Sequence, residues 1–127
     1  MGASSFLKDD ERFLHSLGTL ESRWESARRW MRTCFAELER SVVATGHIDV
    51  PLNNRVRQAT VHLTQEGADI VRQVYLLAGT SALRDGPIQR CFRDIHAGSQ
   101  HFFASPASTL DFARDLLAAT APSALDA

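Results

Sequence analysis

The sequence contains few of the residues that mark several large classes of protein. Its 127 residues include two cysteines, four prolines and seven glycines, and Lys8 is the single lysine among fourteen basic residues. Cys34 and Cys91 are too few and too far apart for a disulfide scaffold or a zinc site. The sparse glycine and proline argue against the dense turns of an all-β protein. No uncharged run reaches the ~20 apolar residues that a membrane-spanning helix needs.

The composition is that of a globular domain with nearly balanced charge. Hydrophobic residues make up 44% and charged residues 23%, and fifteen acids against fourteen bases give a net charge of −1. The length allows one domain. A globally basic nucleic-acid binder and a membrane protein are both disfavoured, so we expect neither nucleic acid nor membrane as a partner. With no basic-then-apolar signal at the N-terminus, a reducing cytoplasm is the expected location.

Apolar residues recur at helical spacing in four segments, so we predict an all-α protein folded as an antiparallel four-helix bundle. The first two predicted helices are long and the last two are short. The first predicted helix starts at Thr19 or Ser22, after a break at Gly18, and ends at Gly46; the second is capped by Asn53 or Asn54, after Pro51, and ends at Ala78 or Gly79. The third starts at Gly86-Pro87 and continues to Phe102, and the fourth starts at Ser105-Pro106.

These limits predict three parts of the chain. Residues 1–18 form a partly helical N-terminal extension, residues 19–118 form the bundle and residues 119–127 form a flexible tail. A metal site in the bundle is not expected, because the Glu-x-x-His pairs of di-iron bundles are absent.

The polar residues of the third helix are patterned. Arg90, Asp94, Ala97 and His101 follow one another at steps of four, three and four, which places them on one helix face. One interpretation is an exposed charged face, in which Arg90 and Asp94 form an ordinary ion pair contributing ~0.2–0.5 kcal/mol. The other interpretation is a functional site.

The order of motifs around this helix favours a functional site. A helix ending in Ala-Gly-Thr-Ser at 78–81, a short loop, Arg93-Asp94 and a histidine seven residues beyond Asp94 resemble the C-terminal helical domain of the acyl-CoA dehydrogenase superfamily. The branch that looks most similar contains the flavin-dependent two-component monooxygenases. The resemblance implies a four-helix bundle that packs against a β-domain, forms an oligomer core and closes over a flavin, FAD or FMN.

The resemblance also implies roles for seven residues. The implied flavin-binding residues are Ala78, Gly79, Thr80, Ser81, Arg93 and Asp94, and the implied catalytic residue beside the flavin ring is His101. Each has a structural alternative. The 78–81 segment could simply end the helix, Arg93 and Asp94 could form a structural ion pair, and His101 could be a surface or core histidine.

The sequence departs from the family pattern in three ways. We expect the N-terminal helical domain and the β-domain of complete members to be missing here, the glycine expected beside Arg114 is absent, and Glu66 does not match the catalytic glutamate of the dehydrogenases. The resemblance therefore implies a domain that contributes to flavin binding and oligomerisation in an oxidoreductase or monooxygenase acting on an organic, including aromatic, substrate. By itself the chain is not expected to be active.

Two sets of partners follow from this interpretation. The chain is expected to form a homo-oligomer, a dimer or a tetramer, and to meet a flavin reductase or a full-length flavoprotein subunit. The alternative function is a non-catalytic helical bundle that self-associates or docks onto such a subunit.

Overall fold

The structure, a computed structural model, describes residues 7–79, 86–100 and 105–121. Within these ranges the chain forms four α-helices and no strand, so the all-α prediction is confirmed. The helices are α1 (Glu11–Thr45), α2 (Val50–Leu77), α3 (Pro87–Gly98) and α4 (Ala107–Thr120).

The two long helices form an antiparallel hairpin joined by residues 46–49. Arg23 contacts Glu66 and, further along α1, Glu37 contacts Arg55. Residues with higher numbers on α1 therefore contact residues with lower numbers on α2, as antiparallel packing requires.

Helix α2 packs against each of the other three helices. Tyr75 near its C-terminal end contacts Phe92 of α3, and Asn54 near its N-terminal end bonds to Asp115 of α4. The two short helices thus lie at successive positions along α2 and together cover its length. The predicted bundle is confirmed, with α2 as its central helix.

The core lies mainly between α1 and α2. Cys34 of α1 packs with Val56 and Ala59 of α2, and Trp30 and Leu38 close around them. Burial raises the pKa of the Cys34 thiol, so the thiol is neutral and inert in this setting.

The predicted break at Gly18 is wrong, because α1 begins at Glu11 and runs through it. Asp10 caps the helix, and its carboxylate accepts hydrogen bonds from the backbone N–H groups of Arg12 at 2.8 Å and Phe13 at 3.3 Å. A single glycine costs only ~1 kcal/mol inside a helix, and Leu20 of the next turn is buried, so the helix continues through it. The helix consequently crosses the boundary predicted at residue 18. The end of α1 at Gly46, which adopts a left-handed φ of 75°, is as predicted.

The predicted caps of α2 are also wrong. Asp49 caps the helix and accepts a hydrogen bond from Leu52 N at 2.9 Å, with Pro51 inside the first turn. Asn54 instead donates a hydrogen bond to Asp115 at 2.9 Å. Because Asp49 already caps α2, the Asn54 side chain is not needed as a cap and is free to make this tertiary contact.

The last two helices begin where proline signals predicted. Helix α3 ends at Gly98, so the predicted continuation to Phe102 is wrong for the described part, and His101 lies outside the described residues. Helix α4 extends to Thr120, two residues past the predicted bundle limit at 118, and the predicted tail falls largely on 122–127, outside the described residues.

An ion-pair network joins α1 to the middle of α2. Arg23 donates to Glu66 at 2.7 Å and to Asp69 at 2.8 Å, and Asp69 also accepts from Arg72 and Gln73. These donors hold the pKa of Asp69 down at about 2, chiefly through the Arg23 hydrogen bond, and the two carboxylates raise the pKa of Arg23. The network fixes the register of the hairpin.

Gly18→Ala should stabilise the fold by about 0.5–1 kcal/mol, since alanine is the better helix former and no described side chain lies within 4 Å of the position that its Cβ would take. Gly46→Ala is the matched control and should destabilise, because its left-handed φ disfavours a side chain. Urea unfolding of the three proteins measures both effects. A loss of stability in the Gly18 variant would contradict the uninterrupted α1.

The low pKa of Asp69 predicts a pH dependence of stability. The Asp69 contribution is fully present above the unfolded-state pKa of about 4 and is lost as the pH falls towards the folded-state value of about 2. Asp69→Asn should therefore lower stability at neutral pH and flatten the decline in this window. Asp94→Asn, an exposed change on α3, should retain the wild-type decline. Unfolding midpoints measured between about pH 4 and pH 2 test this prediction. If the midpoints of the wild type and Asp69→Asn fall in parallel with pH, the prediction is contradicted.

Candidate functional site

Helices α1, α2 and α3 enclose an apolar groove of about 340 Å³. Its lining contains one charged residue, Glu21, and is otherwise aliphatic or aromatic. The lining residues are Leu17, Leu20, Glu21, Trp24, Gly67, Ile70, Val71, Val74 and Ile95. Such a groove suits an apolar chain or a planar ring far better than a charged group.

Gly67 forms the meeting point of the three helices. A Cβ at this position would lie 3.5 Å from Ile95 Cδ1 of α3 and 3.5 Å from Trp24 Cζ3 of α1. The glycine is buried, so its missing side chain is what lets α1 and α3 approach α2 on two sides at once. The helical periodicity of α2 alone does not reveal this contact, because it depends on how α1 and α3 pack.

The groove continues to the C-terminal end of α2. A second depression of about 250 Å³ shares Leu17, Leu20 and Val74 with the first and is bounded by Ala78. Gly79 follows with a left-handed φ of 58°, and no atom of another described residue lies within 4 Å of the position that its Cβ would take. Within the described part of the chain, Ala78 and Gly79 therefore present backbone beside an apolar surface.

Three of the predicted site residues cannot be placed. Thr80, Ser81 and His101 lie outside the described residues. Their proposed contacts with a flavin, and those of Ala78 and Gly79, stay predictions.

Arg93 and Asp94 lie away from the groove. Ile88 and Ile95 face α2, whereas Arg93 is about 140° around α3 from Ile88, and both charged residues are exposed. Neither forms an ion pair with another described residue, and Arg90 does not pair with Asp94. The expected structural ion pair is therefore absent from the described part of the chain, and the two charges remain available on the outer face of α3.

An aromatic stack on α2 and α3 escaped the sequence analysis. Phe92 lies between Tyr75, at a centroid distance of 5.0 Å, and His96, at 4.2 Å. His96 Nδ1 lies 2.8 Å from the Phe92 carbonyl oxygen, so Nδ1 carries the proton and a neutral ring has its acceptor at Nε2. The four-residue spacing of Phe92 and His96 could have revealed half of the stack, but its partner on α2 depends on the tertiary fold.

The arrangement suits a ligand with an apolar or planar surface. The groove offers apolar surface to a ring system and no described side chain covers the backbone at Gly79, whereas the exposed charges of Arg90 and Arg93 lie on α3 outside the groove lining. Within residues 7–79, 86–100 and 105–121, no three His, Cys, Asp or Glu side chains cluster closely enough to hold a metal ion. Among the helices described, none is both long and apolar enough to cross a membrane.

Comparison with known proteins agrees with the geometry. The family model described as "Acyl-CoA dehydrogenase, C-terminal domain" matches residues 1–106, which is most of the chain. A search of curated proteins returns no significant match.

The contact at Gly67 predicts a sharp size limit. Gly67→Ala should be tolerated, because its Cβ would meet Ile95 and Trp24 at ordinary contact distance. Gly67→Leu should destabilise by about 1–3 kcal/mol, because the larger side chain would force these neighbours apart. Thermal unfolding in a Trp30→Phe background, where Trp24 is the remaining tryptophan and reports locally by fluorescence, measures both. Equal stability of the Ala and Leu variants would show that the three helices do not meet closely here.

Proposed function

The chain belongs to the family of acyl-CoA dehydrogenase C-terminal domains, and on this premise we propose that it supplies one helical wall of a flavin site in an oxidoreductase. The observation that carries the proposal is the apolar groove running to the backbone at Gly79, which no other described residue covers. A flavoprotein domain of this family needs such a surface where its bundle closes over the cofactor.

We propose FAD or FMN as the cofactor, which supplies the electron-transfer chemistry when bound. The backbone of Ala78 and Gly79 would lie against the cofactor, since neither residue has a side chain large enough to keep the cofactor away from the backbone. Thr80 and Ser81 would donate hydroxyl hydrogen bonds to its polar tail. The apolar groove would exclude water on the bundle side.

The finer assignment is the monooxygenase branch, acting on an organic, including aromatic, substrate. In this assignment His101 lies beside the flavin ring as a hydrogen-bonding group, and a flavin reductase is the partner. The motif order from Ala78 to His101 supports this branch over the dehydrogenases.

Arg93 and Asp94 take a different place in the proposal. Because both are exposed on the outer face of α3 and unpaired within the described residues, they would contact another domain or subunit rather than the groove. Arg93 could there form the forked contact with carboxylate or phosphate that arginine favours.

The second candidate function is a non-catalytic bundle that self-associates or docks onto a full-length flavoprotein subunit. The observation favouring it is the number of exposed large apolar side chains, among them Phe35 at 56%, Leu76 at 71% and Leu117 at 72%. Such surface is typical of an interface. A homo-oligomer, dimer or tetramer, is compatible with both functions.

Flavin titration of the purified chain tests the first candidate. FAD and FMN should quench in fluorescence on binding, and Gly79→Ala should weaken binding at least about tenfold, because a methyl group would stand where the flavin approaches. Gly46→Ala is the matched control. It adds the same methyl group to another helix-ending glycine with a left-handed φ, so it costs a similar backbone energy of about 1–2 kcal/mol. Gly46 lies at the opposite end of the hairpin from Gly79.

The outcomes separate the candidates. No flavin binding by the wild type at high protein concentration would reject the first candidate, and equal loss of binding in both glycine variants would trace the effect to stability alone. In the same titration His101→Ala should alter the bound-flavin spectrum with unfolding unchanged. A loss of several kcal/mol of stability would instead make His101 a core residue.

A further inference from the structure

The apolar groove has an acidic side chain in its lining. Glu21 of α1 is exposed and lines the groove together with Leu17, one turn before it, and Trp24, one turn after it. These three residues fall within about 60° of one another around α1, because their spacing follows the helical repeat. A carboxylate therefore stands at the rim of a surface that is otherwise aliphatic or aromatic.

The neighbouring arginines of α1 do not neutralise Glu21. Arg23 lies about 160° around the helix from Glu21 and bonds to two carboxylates of α2. Arg28 lies about 10 Å further along α1 and is held by Glu25 at 3.0 Å. Among the described residues Glu21 forms no ion pair, so its charge is available to a ligand.

Two further features at the same end of the groove favour positive charge. The indole of Trp24 is the aromatic ring that attracts cations most strongly. Ile95 lies in the last turn of α3, which ends at Gly98, and the helix dipole places partial negative charge at that end. The part of the groove lined by Glu21, Trp24, Gly67 and Ile95, which we call the Glu21 end, thus combines apolar walls with negative potential.

We infer that the Glu21 end of the groove binds a small organic ammonium ion, that is, a protonated amine on an apolar chain or ring. The ammonium group pairs with the Glu21 carboxylate, and the apolar body lies against Trp24 and Val71. The inference rests on the proposed function in treating the groove as a ligand surface, and it deepens that proposal by naming the chemical class of the organic molecule.

Size and charge limit the ligand. The volume of about 340 Å³ is at the lower end of the range of about 300–1,000 Å³ for small-molecule pockets, so the ligand is a small compound and not a peptide. A carboxylate on the same apolar body would meet the like charge of Glu21. An alcohol of the same length gains the apolar contact but no ion pair.

The Glu21 end is separate from the residues proposed to meet the flavin. Gly67 and Ala78 are eleven residues apart on α2, or about 16 Å along the helix. Amine binding is therefore measured without flavin, and the two proposals can fail independently. Flavin binding without amine binding would overturn this inference alone, and amine binding without flavin binding would reject the flavin proposal alone.

Titration of the purified chain with hexylamine, hexanol and hexanoate at neutral pH tests the inference, since the three probes share one apolar chain and the amine is protonated. The NMR signal of the Trp24 indole N–H should shift on binding. The signal of Trp30, which packs against Phe112 outside the groove lining, is the internal reference. Hexylamine should bind at least about tenfold more tightly than hexanoate, and added salt should weaken hexylamine binding without affecting hexanol.

Charge variants identify the residue responsible. Glu21→Gln should reduce the affinity for hexylamine to that for hexanol, and Glu21→Lys should invert the preference so that hexanoate binds more tightly than hexylamine. Glu39→Lys is the matched control, since it makes the same charge change at an exposed residue of α1 eighteen residues, or about 27 Å, from Glu21. It should bind all three probes like the wild type, and circular dichroism should show the same helical content in every chain.

Two results would overturn the inference. Hexylamine that leaves the Trp24 signal unchanged at roughly 10 mM, or that binds no more tightly than hexanol, would show that the groove is not a cation site. A preference for hexylamine that persists in both Glu21→Gln and Glu21→Lys would show that Glu21 is not the residue that recognises the charge.

Discussion

The close packing of α2 against three other helices is the constraint on which the rest of the structure depends. Ala59 is fully buried where α1 approaches, and Gly67 is buried where α1 and α3 approach together. Small residues at these points let helix backbones come close and let larger neighbours interdigitate around them. Ala27 has the same role on α1, at 1% exposure.

The register of the hairpin depends on a different interaction. Apolar seams tolerate sliding of one helix along another, because a shifted contact still buries hydrocarbon. The hydrogen bonds of Arg23 to Glu66 and Asp69 are directional, and a shift of one turn would leave Arg23 and Glu66 unpaired and Asp69 with only its partners on α2, Arg72 and Gln73. The network lies one residue away from Trp24 and Gly67, so it holds in place the helices that line the groove.

The two ends of the hairpin then differ in character. At the end of α2 the groove and the backbone of Gly79 offer a surface for a ligand, whereas the far half of α1 exposes apolar side chains such as Phe35. The outward charges of Arg93 and Asp94 add a third surface, on α3.

Much of this architecture was predictable because its signals are local. A stripe of apolar residues at helical spacing determines a helix, and Gly46 and Pro87 mark helix ends through backbone conformation alone. The motif from Ala78 to Asp94 likewise indicated the family, and the family comparison confirmed it. These inferences need only the order of residues.

The errors and omissions share one physical cause. Whether Gly18 breaks a helix depends on contacts made by its neighbours, and whether Arg93 and Asp94 meet partners on other helices depends on which way α3 faces. Arg23 and Glu66 are 43 positions apart, and no periodicity connects them. The sequence by itself determined the helices, their approximate ends and the family. The tertiary structure decided the register, the groove and the exposed faces, because these depend on distances between helices that local patterns do not contain.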